Sequence, residues 1–199
     1  MNPNIEKARH NENEVLKAVG LVGWLTTAQV AAWVWPASGA HSARNRAAEV
    51  LARLVKQRCL MRRPSALGTW AYLLTNAGAE RANMALGERV FRNGYDLSQL
   101  DVYRQGLIVT HLLAQDGFPK LGPAGVRGAA RACYFAEDSA LRQADALSWD
   151  ASRGEWVAAI VVRSLHPDLL AKARRLRPAA GLLLLLGATT TVRQFGAAI

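Results

Sequence analysis

Three features of this 199-residue sequence predict an α+β fold made of two domains. Apolar residues recur at helical spacing through most of the first half, whereas residues 130–199 contain short apolar runs bounded by turn residues, as strands do. Positive charge is uneven: residues 1–94 carry 13 Lys and Arg against 6 Asp and Glu, and residues 95–199 carry 12 against 9. The hydrophobic fraction of 51% is typical of a folded chain. We therefore predict one domain over residues 1–94 and a second over residues 95–199.

The first domain is expected to begin with two helices. Its first dozen residues are polar, and we expect them to fray. From Glu14 the apolar residues follow helical spacing as far as Gly23, which predicts the first helix. Thr26 and Thr27 are suited to open a second, short helix, and Pro36 stops the aromatic cluster that follows. The second helix would support the basic segment that comes next.

A third helix, from Ser42 to Gln57, combines an apolar stripe with basic side chains. Its apolar residues recur at spacings of three and four, which predicts one buried face. Ser42 is the expected N-cap, because its hydroxyl can accept from a backbone donor of the first turn. Arg44 and Asn45 lie largely off the stripe, and these residue types can recognise guanine and adenine through two hydrogen bonds each. This helix is therefore the candidate recognition helix.

A hairpin is predicted directly after the basic helix. Cys59–Arg63 and Thr69–Thr75 have the composition of two strands joined by the turn Pro64–Gly68, and Asn76 is the expected cap of a fourth helix. Tryptophans of this half could stack on bases, but we favour a core role for them, because large aromatics mostly supply buried area, and Trp70 on the second strand could be a core residue as well. The order helix, helix, helix, strand, strand, helix is that of a winged helix-turn-helix, with the hairpin as the wing.

Double-stranded DNA is the partner that this arrangement predicts. Taken alone, a helix with arginines on one face is explained as an ordinary soluble helix. The supporting helix before it and the hairpin after it favour DNA contact instead, and excess positive charge strengthens binding to polyanions by counterion release. Arg44 and Asn45 would read bases, and the other basic residues would fix the register on phosphate. The predicted DNA-binding residues are His41, Ser42, Arg44, Asn45, Arg46, Arg53, Lys56, Arg62 and Arg63.

Three runs in this half carry a family resemblance: LTTAQVAAWVW, SARNRAAEVLARLVKQRCLMRR and WAYLLTNAGAE. They resemble the replication-relaxation family of plasmid and mobile-element proteins, which overlaps the MobC-like relaxosome accessory proteins. The resemblance implies a winged helix joined to a second α/β domain, and DNA binding during plasmid mobilisation or replication, with a relaxase or a replication protein as partner. Similar patterns occur in small transcriptional repressors, so a winged-helix transcriptional regulator stays open. A protein-interaction adaptor, whose winged helix binds protein, stays open as well.

The second half is predicted to be a small α/β domain. Two roles stay open for its first helix, which could pack two protomers into a homodimer or begin the domain itself. The Gly- and Pro-rich segment after it lacks any period and predicts a loop. The predicted elements are a helix over 97–115, a loop over 117–130, strands over 130–135, 143–149 and 156–163, a helix over 167–177 and a strand over 181–186.

Helix, three strands, helix, strand is the core order of the PD-(D/E)XK nuclease superfamily, which this half resembles. Such nucleases need an acid on the second strand and an acid-x-Lys on the third, because the carboxylates hold a divalent metal. Asp145 takes the first acid position, but Val161 and Arg163 occupy the positions of the acid and the lysine. Glu137 and Asp138 match no metal-ligand spacing. We therefore expect a nuclease-like domain that lacks the catalytic set, with no enzyme activity, metal or cofactor; a metal-dependent nuclease stays open as the enzyme alternative.

Several other classes are excluded by composition. The net charge of +10 fits a polyanionic partner, but no segment is apolar enough to span a bilayer and no polybasic anchor is present. Cys59 and Cys133 form no C-x-x-C pair, and His111 is interpreted as a satisfied core or surface histidine. The basic run Lys172–Arg177 suits the end of its helix, or adds a second phosphate contact. Since no signal peptide is recognisable, we expect a cytoplasmic protein with reduced thiols.

Overall fold

The computed structural model describes residues 3–65, 68–86, 101–116, 120–126 and 140–199. Over these residues the chain is α+β, with helices and two small sheets, as predicted. It divides into two compact units, Met1–Val102 and Tyr103–Ile199. The predicted boundary after Gly94 lies outside the described residues. No helix among the described residues is long and apolar enough to cross a membrane.

The first unit contains four helices among its described residues and a three-stranded antiparallel sheet in the order β1-β3-β2. The helices and the two hairpin strands lie in the predicted order, and β1 was not predicted. The elements are α1 (Pro3–Val22), β1 (Trp24–Thr26), α2 (Thr27–Val34), α3 (Ala40–Lys56), β2 (Leu60–Pro64), β3 (Trp70–Leu74) and α4 (Asn76–Leu86).

Helix α1 begins at Pro3, so the expectation that the first dozen residues fray is wrong over residues 3–12. Proline is well tolerated at the first helical position, where its missing N–H would have no partner anyway. Glu12, near the middle of the helix, is only 6% exposed and is paired with arginines of other elements. The polar N-terminal part is therefore anchored by tertiary contacts that its composition does not reveal.

Strand β1 completes the sheet of the first unit. Trp24 pairs with Leu73 and Thr26 with Ala71, in antiparallel register. Trp24 is 2% exposed and packs with Ala71 and Leu73 in one buried cluster. Trp70 differs: it is the first residue of β3 and is 44% exposed, so it does not take the core role that the sequence favoured.

The caps of α2 and α3 show one correct prediction and one error. Thr26 caps α2 as expected, since its Oγ1 accepts from the backbone N–H of Gln29 and the Gln29 side chain accepts from the N–H of Thr26. The cap of α3 is Gly39, with no side-chain hydrogen bond, and not Ser42. The extended backbone of Gly39 starts the helix at Ala40, so Ser42 is already helical. His41 and Ser42 consequently belong to the first turn.

Thr75, and not Asn76, caps α4. Its Oγ1 accepts from the N–H of Gly78 at 3.1 Å and donates to the carbonyl oxygen of Arg58 at 2.5 Å. Arg58 has a positive φ of 58° and turns the chain from α3 towards β2. A Cβ on Gly78 would overlap the carbonyl group of Cys59, so α4 starts in direct backbone contact with the end of that turn. These contacts fix α4 against the segment that joins α3 to the hairpin.

The second unit is built around a four-stranded sheet in the order β4-β5-β6-β7, antiparallel except for the parallel pair β6–β7. Its elements are α5 (Val102–Ala114, whose first residue belongs to the first unit), β4 (Lys120–Leu121), a 3₁₀ helix (Ala140–Gln143), β5 (Ala146–Asp150), β6 (Glu155–Val161), α6 (Pro167–Leu176), β7 (Leu182–Leu186) and α7 (Thr189–Gly196).

The predictions for β5, β6, α6 and β7 are confirmed to within a few residues. The loop prediction over 117–130 is wrong in part, because β4 and a single helical turn at 123–126 lie within it. Helix α7 was not predicted. The predicted strand over 130–135 and the residues Glu137 and Asp138 lie outside the described residues.

Candidate nucleic-acid interface

Helix α3 has one buried face and one exposed face. The exposed face includes Arg44, Asn45 and Arg46, whose side chains are all open to solvent. The buried face packs against α1 and α2, which hold the helix in place. Its buried residues are Ala43, Ala47, Val50, Leu51 and Leu54. The sequence-predicted contact residues of this helix therefore project from a supported surface.

The first turns of α3 carry most of the exposed polar groups of the candidate interface. Asn45 Nδ2 lies 3.1 Å from His41 Nε2, one helical turn earlier, and both side chains are exposed. Arg46 Nη1 donates to Ser38 Oγ at 3.4 Å. Arg44 makes no hydrogen bond or ion pair with any described residue, so its guanidinium presents all of its donors to solvent. An amide and a planar guanidinium at adjacent positions match the donors and acceptors on base edges.

The C-terminal end of α3 is tied to α1 and α4 through Glu12. Glu12 Oε1 lies 3.1 Å from Arg53 Nε, and Glu12 Oε2 lies 2.6 Å from Arg81 Nη2. Gln57 also donates to Glu12, at 3.4 Å. Arg53, one of the predicted phosphate contacts, is therefore held by a carboxylate that it shares with Arg81. Lys56 is exposed and forms no ion pair within the described part of the chain.

The two arginines of the hairpin do not share a surface. Arg62 pairs with Tyr72 and Arg63 with Ala71 in the β2–β3 register, and successive strand residues point to opposite faces. Arg62 lies over the ring of Trp70, with its Cζ 4.7 Å from the ring centroid. The prediction places both arginines near phosphate, but one rigid docking of the hairpin can direct only one face of β2 at a DNA strand.

Trp70 is a candidate residue that sequence reasoning missed. Its 44% exposed indole and the guanidinium of Arg62 form a cation–π pair at the end of the hairpin. The composition of the strand does not indicate that Trp70 is exposed, because a tryptophan in an apolar run is normally buried. The strand register explains the exposure: Trp70 pairs with Pro64, the last residue of β2, where the sheet ends.

Asp145 is a buried charged side chain in the described part of the second unit. It is 6% exposed, and its Oδ1 accepts from Lys172 at 2.8 Å and from Arg104 at 2.9 Å. Its Oδ2 accepts from the backbone N–H of Val161 at 2.7 Å. Burial alone would raise the pKa of Asp145, but the charges of Lys172 and Arg104 and these hydrogen bonds outweigh it and lower the pKa below its ordinary value.

This environment differs from that of a metal-binding carboxylate. Asp145 has two cations at its carboxylate, and Val161, which stands where a second acid would be required, contributes only a backbone N–H. Lys172 is therefore explained by its partner Asp145, and not by the helix dipole or by phosphate. Arg163 lies over the ring of Tyr103, with its Cζ 5.3 Å from the centroid. Within the described ranges, no group of three or more His, Cys, Asp and Glu side chains could hold a metal ion.

His111 and Cys59 are both buried. Burial lowers the pKa of His111, and its Nδ1 lies 3.5 Å from Gln115 Nε2. Its Nε2 has no hydrogen-bond partner, so the interpretation of His111 as a satisfied histidine holds for only one of its two ring nitrogens. Cys133 lies outside the described residues.

Comparisons of the chain with models of protein families, with curated proteins and with solved structures found no match.

Proposed function

We propose that this protein binds double-stranded DNA through its first unit, which acts as a winged helix-turn-helix. In this proposal α3 enters the major groove, α2 supports it and the β2–β3 hairpin is the wing. The observation that carries the proposal is the exposure of Arg44, Asn45 and Arg46 on a helix whose opposite face is buried. A helix seated in this way can approach base edges without first being released from the core.

The contacts divide by chemistry. Arg44 and Asn45 face base edges, where a bidentate pair discriminates by about 1–3 kcal/mol against the wrong base. The first-turn residues His41 and Ser42 and the cations Arg46 and Lys56 are exposed, and the proposal assigns them to phosphate. Arg53 is better explained as a support for the helix, because Glu12 of α1 holds its guanidinium at 3.1 Å.

On the wing, Arg62 and Trp70 form the more suitable contact surface. A guanidinium held over an indole keeps its outer N–H groups available for phosphate, and the exposed indole edge can lie against a sugar. Arg63 would then face away from the duplex. The proposal thus gives Trp70 a binding role in place of its predicted core role.

The biological process is proposed from the family resemblance of the first half. A protein similar to the replication-relaxation family would assist plasmid mobilisation or replication, with a relaxase or a replication protein beside it on DNA. A nuclease finds less support as the function of the second unit, because Asp145 is already paired with Lys172 and Arg104.

The proposal is tested by fluorescence anisotropy with labelled duplex DNA, after selection of preferred sites from a random pool. We expect the double variant Arg44→Ala/Asn45→Ala to bind the selected site at least about tenfold more weakly, because two base contacts are lost. Arg193→Ala is the matched control: Arg193 is exposed on α7, in the other unit, and its replacement should change affinity by less than about twofold. Equal losses in the two variants, or affinity that does not depend on salt, would rule the proposal out.

A further inference from the structure

The sheet of the second unit ends in a strand made entirely of leucine. Strand β7, Leu182–Leu186, is hydrogen-bonded on one side to β6, and no described strand pairs with its other side. Leu182 is 36% exposed and the four leucines that follow are partly exposed. An edge of this kind presents unpaired backbone N–H and C=O groups together with apolar side chains, which is a template for another strand.

The other three sheet edges among the described strands are protected against such pairing. Strand β1 is only three residues long, and β2 ends in Arg62, Arg63 and Pro64. Strand β4 is two residues long and includes Lys120. Short length, charge and proline are the usual means by which an edge strand avoids pairing with another chain. The β7 edge carries none of these, so it differs in kind from the other three.

The charge distribution identifies what fits this edge. Residues 178–192, which include β7 and the start of α7, contain no charged side chain. The chain as a whole has a net charge of +10, so two copies repel each other over most of their surface. The segment that contains β7 adds nothing to this repulsion, and the strand is complementary to itself, since any register of two such strands places leucine opposite leucine.

We propose that β7 pairs antiparallel with β7 of a second copy of this chain, around a two-fold axis. The pairing would join the two sheets into one continuous sheet and satisfy the outer backbone groups of both strands. Leucines facing each other across the new pair would lose their remaining exposure to water, which supplies the driving force.

The size of the contact sets the expected strength. A single five-residue strand pair buries well under the ~1,200 Å² of a stable interface, so we expect a dimer with a Kd in the micromolar range. The dimer would carry two first units and so two DNA-binding helices, but its formation does not depend on DNA binding.

The test is the oligomeric state of the full chain, measured by sedimentation equilibrium from about 1 to 200 μM. We expect a reversible monomer–dimer equilibrium in the wild type and a monomer throughout for Leu182→Lys, because a lysine on the edge blocks pairing. The control is Leu113→Lys, on α5 of the same unit: Leu113 is also 36% exposed, and this variant should dimerise as the wild type does. Circular dichroism confirms that both variants are folded.

Hydrogen exchange of the unaltered chain provides a second measurement that does not rely on any variant folding. We expect the backbone amides of residues 182–186 that face away from β6 to exchange more slowly as protein concentration rises. A wild type that stays monomeric at 200 μM overturns the proposal, and so does a dimer whose β7 amides exchange at the same rate as in the monomer. If the wild type stays monomeric, a strand of a different protein would be the remaining partner for this edge.

Discussion

Glu12 Oε2 accepts a hydrogen bond of 2.6 Å from Nη2 of Arg81, which lies 69 residues further along the chain. The other oxygen of the same carboxylate lies 3.1 Å from Arg53, on the candidate recognition helix. One buried carboxylate thus connects α1, α3 and α4 at the end of α3 that lies away from Arg44. This link gives the exposed turns of α3 a fixed position relative to the rest of the first unit.

Replacing Glu12 should destabilise the first unit. In Glu12→Gln the charge is removed while the shape is kept, so Arg53 and Arg81 lose their shared counter-charge. Loss of one partner from a buried pair costs about 3–5 kcal/mol, and the partial exposure of both arginines reduces this to about 2 kcal/mol. Thermal unfolding followed by circular dichroism measures the change.

The control for Glu12→Gln is Glu14→Gln. Glu14 also forms an ion pair, with Lys17 at 2.8 Å, but its side chain is 36% exposed. Exposed pairs contribute about 0.2–1 kcal/mol, so this variant should unfold close to the wild type. Equal destabilisation by the two substitutions would show that Glu12 is no more than a surface carboxylate.

The salt dependence of DNA binding should separate Lys56 from Arg53. Lys56 has no partner among the described residues, so Lys56→Ala should lower the slope of log affinity against log salt by about 0.9, the value for one phosphate contact. Arg53→Ala should lower it much less, because Glu12 holds the Arg53 guanidinium at α1 and keeps it from a phosphate contact. Anisotropy titrations at several salt concentrations measure both slopes, and a larger effect of Arg53→Ala would restore Arg53 as a phosphate contact.

Local sequence signals predicted which helices and strands form better than they predicted where these elements begin or what they contact. The Thr26 cap could be predicted because threonine is a common N-cap, and the capping box that it forms with Gln29 lies within four residues. The caps at Ser42 and Asn76 were wrong, since the backbone at Gly39 and the hydroxyl of Thr75 decide where those helices begin. Each error displaced a helix start by only one turn or less.

Contacts between distant residues could not be predicted at all. Strand β1 has three residues, too few to show any alternation, and it exists because β3 offers it a partner. The pairing of Lys172 with Asp145 depends on α6 packing near the start of β5, which a basic run in the sequence does not reveal. The face of α3 was predictable, because helical periodicity determines it.

Asp145 should make the stability of the second unit depend on pH. Its pKa is lowered in the folded protein, so its charged form stabilises the fold. That contribution is complete above the ordinary aspartate pKa of about 3.9 and is lost as the pH falls through the lowered value. Asp145→Asn, which cannot titrate, should cost about 2 kcal/mol near pH 7, because it leaves Lys172 and Arg104 without a counter-charge.

Calorimetric unfolding between pH 3 and pH 7 tests this expectation. The difference between the wild type and Asp145→Asn should stay constant above about pH 5 and shrink below about pH 4. Asp116→Asn is the control, since Asp116 is exposed, and it should change stability by less than about 0.5 kcal/mol at every pH. A difference that does not vary with pH would mean that the carboxylate keeps an ordinary pKa.

Two helical glycines should respond in opposite ways to alanine. In a helix interior, alanine is favoured over glycine by about 1 kcal/mol. At Gly106, in α5, a Cβ meets no atom within 4 Å, so Gly106→Ala should raise the free energy of unfolding by about that amount. At Gly78 the Cβ would overlap the carbonyl group of Cys59, which is backbone and cannot turn aside.

Gly78→Ala should therefore lower the free energy of unfolding by about 2 kcal/mol, the usual cost of overpacking, despite the gain in helix propensity. To relieve the overlap, α4 would have to move away from the Arg58–Cys59 turn and weaken the hydrogen bonds that Thr75 makes there. Chemical denaturation of both variants measures the change in the free energy of unfolding, which should be positive for Gly106→Ala and negative for Gly78→Ala. If Gly78→Ala proved as stabilising as Gly106→Ala, α4 could not be in backbone contact with the turn that ends α3.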